Sequence, residues 1–447
     1  MDLKHIYFLG IGGIGMSALA RYFRLQGIAV SGYDRTPTLL TRQLEEEGIN
    51  IHFEEKPDLI PAETELVIYT PAIPPENEEL LYLKKTDIPL KKRAEVLGIL
   101  SADKFTIAVA GTHGKTTITS MIAQIFHEAG KNISVFAGGI MNNFNSNFAG
   151  GINADFFITE ADEFDRSFLQ LKPDIAVITS MDADHLDIYG SREALEKNFV
   201  RFAEQIKSGG LLVVNDLLDF PEMPEIKIIK YSVAKSAGIH AENINYSGGN
   251  FSFDIIFRTG KIENIRMRMP GRHNAENALA AATVALHAGI NEQKIREALE
   301  SYRGVKRRFE YIIKTPQQVF IDDYAHHPNE LKECIGAARN LYPGKKITGV
   351  FQPHLYSRTR DFAEEFARSL DLLDRVILLD IYPAREKPIP GITSESILEK
   401  MKNTNRTLVS KKDLPELIKK EKPEVLLSLG AGDIDQLVEP LKNALQA

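Results

Sequence analysis

The chain of 447 residues has a single cysteine, Cys334. One thiol excludes a disulfide framework and a cysteine metal site, and it fits a reducing, cytoplasmic setting. Cys334 falls inside the helical run ELKECIGAARNL, where it reads as a small core residue. No stretch approaches the ~18 uninterrupted apolar residues of a membrane span. Basic residues are not in excess: 54 Lys and Arg against 61 Asp and Glu leave a net charge of -7. That argues against a broad face for nucleic acid. There is no short-period repeat and no low-complexity tract. No serine or cysteine nucleophile elbow is present, so covalent enzyme catalysis has no support. Ala18-Leu-Ala20 mimics a signal-peptidase site, but Asp2 beside Lys4 and the turn-spaced glycines fit a strand, turn and helix better.

At about 100–200 residues per domain the length predicts two to four domains. Strand-like runs (HIYFLG, IAVSGYD, ELVIYT) alternate with amphipathic ones (GMSALARYFRLQG, LLTRQLEEEG, RAEVLGILSA) up to about Leu100. A second alternating unit opens at Phe105, and a third follows the segment VKRRF. The prediction is an α/β protein of three domains, 1–100, 101–310 and 311–447, the outer two Rossmann-like and the central one built around a phosphate loop. Tighter alternation from about Lys227 to Met269 predicts an antiparallel β patch inside the second.

The first strand runs into Gly10, Gly12 and Gly15, spaced G-x-G-x-x-G, with Asp34 at the end of the next strand. This is the dinucleotide fingerprint, and alone it suggests a nicotinamide-dependent dehydrogenase. A second loop speaks against that. In AVAGTHGKTT a strand empties into Gly111, Thr112, His113 and Gly114, and Lys115, Thr116 and Thr117 open a helix. Such a turn aims amides at an anion, its lysine reaches β- and γ-phosphates, and its threonine can ligate Mg²⁺. The loop is two residues shorter than the usual phosphate loop. A simple dehydrogenase needs one phosphate loop, not two.

GTHGKTT resembles the ATP loop of the Mur ligase family, the ATP-dependent enzymes that build the peptide stem of peptidoglycan. Further segments are similar to that family in the same order. They are GIGGIGMS, EADEFDRSFL, DADHLDIYG, GRHNAENALAA, VKRRFE, DDYAHHP with FQPHLYSRTR, and GAGDI. The resemblance spans nearly the whole chain and is strongest to the branch that adds the first amino acid. It implies ATP and Mg²⁺ as cofactors and UDP-N-acetylmuramate and L-alanine as partners. Neither nucleic acid nor membrane is implied, and a monomer or weak homodimer is expected.

It also implies roles. The UDP-sugar is assigned to Gly10, Gly12, Gly13, Ile14, Gly15, Asp34, Thr70, Ala72 and Ile73. ATP is assigned to Gly111–Thr117 with Asn274, Asn277 and Asp323. Thr116, Glu160 and His185 are the expected metal ligands. Arg307 and Arg308, at the junction of the second and third domains, are expected to stabilise charge on the transferring phosphoryl group beside Lys115, Glu160 and His185. Tyr324, His326, His354 and Arg358 are expected to hold the amino acid, an arginine fork suiting its carboxylate. Sister ligases carry a modified lysine where this chain has Phe199. Lys197 lies two residues away, and on a helix it points elsewhere. Leu355 stands where some relatives have a second arginine, and Ala325 replaces a common glycine. A murein tripeptide recycling ligase, or a non-catalytic nucleotide-sugar sensor, would share many of these features.

Overall fold

The computed structural model describes residues 3–182, 189–235, 237–247, 250–384 and 386–446. The first sheet has five parallel strands in the order Asn50–His52, Ala29–Tyr33, His5–Leu9, Leu66–Tyr69 and Leu90–Lys92. Its central strand HIYFL is wholly buried, as a parallel strand covered on both faces must be. Ile6 and Phe8 enter one core and Tyr7 and Leu9 another, the period-2 alternation of a strand.

The second sheet has ten strands. Its central parallel set places Phe105–Ala110 between Ile175–Ile178 and Phe156–Glu160. The expected antiparallel patch is corrected at its start. Lys227–Ser232 runs parallel to both neighbours, Leu211–Asn215 and Ile239–Ser247. Apolar alternation reports a half-buried strand but not its direction. The third sheet runs Glu310–Lys314, Val319–Asp323, Val425–Leu429, Ile347–Phe351, Arg375–Leu378 and Arg406–Leu408, and only the first pair is antiparallel. Among the described residues no helix is long and apolar enough to cross a membrane.

By contacts the chain divides into two compact units: 1–242, 254–265 and 276–303 form one, and 243–253, 266–275 and 304–447 the other. Within the first unit, residues of the first hundred share one core with those that follow. Tyr22 packs its ring 5.5 Å from Phe136 and 5.8 Å from Phe148. Asn147, fully buried, reaches the helix Ile14–Leu25 with every polar atom used. Its Nδ2 donates to the Ile14 carbonyl and, at 2.8 Å, to Ser17 Oγ, and its Oδ1 accepts from Arg21. The helix that starts at the glycine fingerprint is thereby held from both sides.

One buried polar cluster lies under the first sheet. Glu79, with no exposed surface, accepts from the Tyr7 hydroxyl at 2.5 Å and from the Lys56 backbone N–H at 3.0 Å. His52 Nε2 is 2.8 Å from the same hydroxyl, Tyr33 packs on the His52 ring, and Glu55 approaches Tyr33. Burial pushes the Glu79 carboxyl up to about 7, against the Tyr7 and Lys56 hydrogen bonds, which favour the ionised form. Between the unfolded and folded values the native state holds a proton that the unfolded chain releases. The associated stability is therefore full at pH 4 and is lost as pH rises through 7. At ~1.4 kcal/mol per pH unit the effect reaches about 3 kcal/mol. We expect Glu79→Gln to gain on the wild type by up to that amount between pH 5 and pH 7.5 in urea unfolding. A difference that stays constant over the window would show that Glu79 does not titrate there.

Candidate active site

In the first unit the glycine loop is closed by its own backbone. Gly10 and Ile11 donate to the Tyr33 carbonyl at 2.8 and 3.0 Å, and Gly13 donates to Gly10 at 3.2 Å. Asp34 accepts the Gly12 N–H at 2.8 Å and the Thr36 N–H at 3.2 Å. Its carboxylate thus organises the loop. Gly10 has φ +85°, and a Cβ there would lie 2.7 Å from Thr70 Cγ2 and 3.3 Å from Ile73 Cδ1. Thr70 and Ile73 therefore sit against the loop, in a turn closed by Ile73 N–H to the Thr70 carbonyl, and Ala72 donates to Thr70 Oγ1.

The second loop follows Phe105–Ala110 and opens the helix Lys115–Glu128. Gly111 (φ +125°) and Gly114 (φ +79°) take backbone conformations costly for other residues. Thr179 and Ser180, at the end of the neighbouring strand, pin the loop. Thr179 Oγ1 donates to the His113 carbonyl at 2.5 Å, and Ser180 Oγ accepts from His113 N–H at 3.1 Å and lies 2.7 Å from Thr112 Oγ1. Sequence reasoning missed both, although the end of DIAVITS adjoins the loop in any parallel pairing. His113 Nε2 is 3.2 Å from Asp182. Asn277 belongs here too: a Gly114 Cβ would lie 2.7 Å from its Oδ1. Thr117 is buried in the helix.

Lys115 Nζ donates to the Gly111 carbonyl at 2.6 Å and to both oxygens of Glu163 at 2.8 Å. Burial favours the neutral amine, but Glu163, Asp162 and Glu160 outweigh it and hold the ammonium above its ordinary pKa. Glu160 accepts from the Gly138 N–H and from the Thr116 hydroxyl, and burial raises its carboxyl. A hydroxyl and a carboxylate are hard oxygen donors, the set that suits Mg²⁺. His185 lies outside the described residues. Among those described, no group of three or more His, Cys, Asp or Glu is arranged to hold a metal. Phe199 is fully buried against Phe168, so its position belongs to the core, and Lys197 is exposed.

The second unit holds the remaining candidates. Arg307 is sequestered. Its Nε donates to Asp322 at 3.1 Å and its Nη2 to the Gly430 carbonyl at 2.6 Å. Arg308 is 35 % exposed, 3.7 Å from Glu330 and 5.0 Å over the Tyr324 ring. Asp323 accepts from the Phe309 and Ala325 N–H groups, each at 2.7 Å, and so shapes its own loop. Asn274 donates to the Pro270 carbonyl at 2.7 Å. His326 is pushed down to about 4, by burial and then by Arg358, against the pull of Glu330. Its Nδ1 lies 3.0 Å from the Tyr324 carbonyl, an acceptor only, so the neutral ring carries its proton there and presents Nε2 as an acceptor. His326 meets His354 edge-on at 6.0 Å. Leu355, next to His354, is held at φ +71°. Arg358 lies in the first turn of the helix Tyr356–Leu370.

Residues 5–105 match the Mur ligase family catalytic domain, 109–285 the Mur ligase middle domain, and 307–432 the Mur ligase glutamate ligase domain. The UDP-N-acetylmuramate–L-alanine ligase of Flavobacterium johnsoniae is 47% identical over 448 residues, 99% of this chain and 98% of the relative. The chain belongs to the Mur ligase family. The ligase of the same name from Flavobacterium psychrophilum is 48% identical over 449 residues, with the same coverage. Among solved structures, the UDP-N-acetylmuramate-alanine ligase of Thermotoga maritima matches with a TM-score of 0.84 at 28% identity over 99% of both chains. The Psychrobacter arcticus murein peptide ligase shares the fold, with a TM-score of 0.70 at 24% identity over 99% of this chain and 98% of that one.

Within this Mur ligase the two junction arginines differ in kind. Removing Arg307 strips the near-buried Asp322 of its cation, at a cost of about 3 kcal/mol. Arg308 is a partly exposed pair whose loss costs under about 1 kcal/mol. Thermal unfolding should thus show Arg307→Ala clearly less stable and Arg308→Ala close to wild type. Equal losses would contradict the assignment.

Proposed function

We propose that this Mur ligase uses ATP to join L-alanine to the lactyl carboxylate of UDP-N-acetylmuramate, through an acyl phosphate, in peptidoglycan precursor synthesis. The observation that carries this reading is full-length likeness, at 47%, to ligases named for that substrate and that amino acid. Both phosphate-type loops lying in one compact unit support it. ATP, the UDP-sugar and alanine are all water-soluble, which suits a cytoplasmic enzyme. Residues 1–100 take the UDP-sugar, 101–310 the ATP, and 311–447 the amino acid.

The chemistry needs no enzyme nucleophile. It needs the carboxylate, the γ-phosphoryl group and the amine held in line and their charge neutralised. Lys115 leaves Glu163 for the phosphates, and the amides of Gly111–Thr117 cradle them. Asn277, beside Gly114, is assigned to the nucleotide base, and Asn274 keeps the same assignment from the sequence. Thr116 and Glu160 would hold Mg²⁺, with His185 a further ligand, and the ion would neutralise phosphate charge. Arg308 is the junction arginine available to the transferring group, and Arg307 with Asp323 sets the loop that bears it. In the second unit Arg358 takes the α-carboxylate of alanine. Neutral His326 accepts from its ammonium through Nε2, beside Tyr324 and His354.

Phosphate release from ATP should require UDP-N-acetylmuramate and rise at least tenfold with L-alanine over glycine or serine at equal concentration. Lys115→Ala should abolish it. Release that no amino acid stimulates would sink the proposal.

A further inference from the structure

The glycine loop leaves a question of charge. A diphosphate brings about two negative charges, and the amides of Gly10, Ile11, Gly12 and Gly13 already donate within the loop and to Tyr33 and Asp34. What remains is the first turn of the helix Ile14–Leu25, whose N–H groups at Ile14, Gly15 and Met16 have no intrahelical acceptor. Over that turn lies a cation. The nearest atoms to a Cβ at Gly15 would all belong to Arg93, with Cδ and Cζ at 3.1 Å and Nη1 closer still. Arg93 opens the helix Arg93–Ser101 directly after the strand Leu90–Lys92. It therefore stands at the same strand edge as Gly10, Asp34 and Thr70. Its Nη2 is 3.2 Å from Asp162, and its neighbour Lys92 is 2.9 Å from Asp165, both in the acidic run that also supplies Glu160 and Glu163.

We infer that Arg93 is a substrate-binding residue that contacts the diphosphate of the UDP-sugar, with Asp162 as its positioning partner. The third glycine of a dinucleotide fingerprint ordinarily serves helix–strand packing. Here its missing side chain is the space through which a guanidinium reaches the helix N-terminus. A guanidinium offers a planar pair of donors to phosphate oxygens, and the first-turn amides offer the rest. Asp162, 3.2 Å from Nη2, tethers the guanidinium, so less side-chain entropy remains to be lost on binding.

The inference rests on the UDP-sugar reading of the glycine loop, and the test separates the two. Full-length wild type, Arg93→Ala, Arg93→Lys and Asp162→Asn are titrated with UDP-N-acetylmuramate, UDP and uridine, and KM is measured for each substrate. Arg93→Ala should weaken UDP-N-acetylmuramate and UDP by about 10- to 100-fold and leave uridine unchanged, since uridine lacks the diphosphate. KM for ATP should stay within about twofold. Arg93→Lys should recover part of the loss, and Asp162→Asn should weaken UDP by a smaller factor than Arg93→Ala. Unchanged UDP affinity in Arg93→Ala, or equal loss of UDP and uridine, would overturn the inference and leave Arg93 as a bridge between elements. Failure of the wild type to bind UDP-N-acetylmuramate would instead overturn the function proposed above.

Discussion

Parallel strands all end at the same edge of their sheet, and this constraint sets where many of the candidate site residues appear. In the first sheet, Gly10, Asp34, Thr70 and Arg93 each follow a strand at that edge. In the second, Gly111 and Thr179 follow, and Glu160 ends, three adjacent parallel strands. In the third, Tyr324, Gln352 and Gly430 do the same, and Gln352 accepts from Ile434 and donates to Asp433 to tie two of those loops together. Ligands of open α/β sheets bind at such edges because the backbone there turns away and leaves groups unpaired.

Charge at these edges is arranged before any ligand arrives. Lys115 is held charged by the carboxylates around it, and burial holds Glu160 toward its neutral form. Each group is costly where it sits and is offset by its neighbours. Lys115 is bound to both oxygens of Glu163 and to the Gly111 carbonyl, and Glu160 to the Gly138 N–H and the Thr116 hydroxyl. His326 stands apart, kept neutral by burial and by Arg358.

Much of the fold was legible in the sequence because both phosphate-type loops are local. Gly10 to Gly15 and Gly111 to Thr116 each lie within one strand–turn–helix, so their spacing carries their geometry. The strands Asn50–His52 and Leu90–Lys92 escaped notice because three partly exposed residues make no apolar run. The direction of Lys227–Ser232 was misread because alternation reports burial and not pairing. Asp34, expected at the UDP-sugar, accepts from the Gly12 and Thr36 N–H groups and so organises the loop, a contact its spacing alone does not reveal.

The order of motifs, read along the chain, by itself determined the family, the two phosphate-type loops and the residue types able to neutralise an anion. Those depend on neighbours in sequence, whose chemistry is set by short-range geometry. The tertiary structure alone decided which of two adjacent arginines is locked to Asp322 and which is partly exposed. It decided that Asn277 meets Gly114, 163 residues earlier by number, and that Arg93 lies over Gly15. These pairings depend on which strands adjoin and on what a missing Cβ lets approach. Neither quantity is written in any local stretch of sequence.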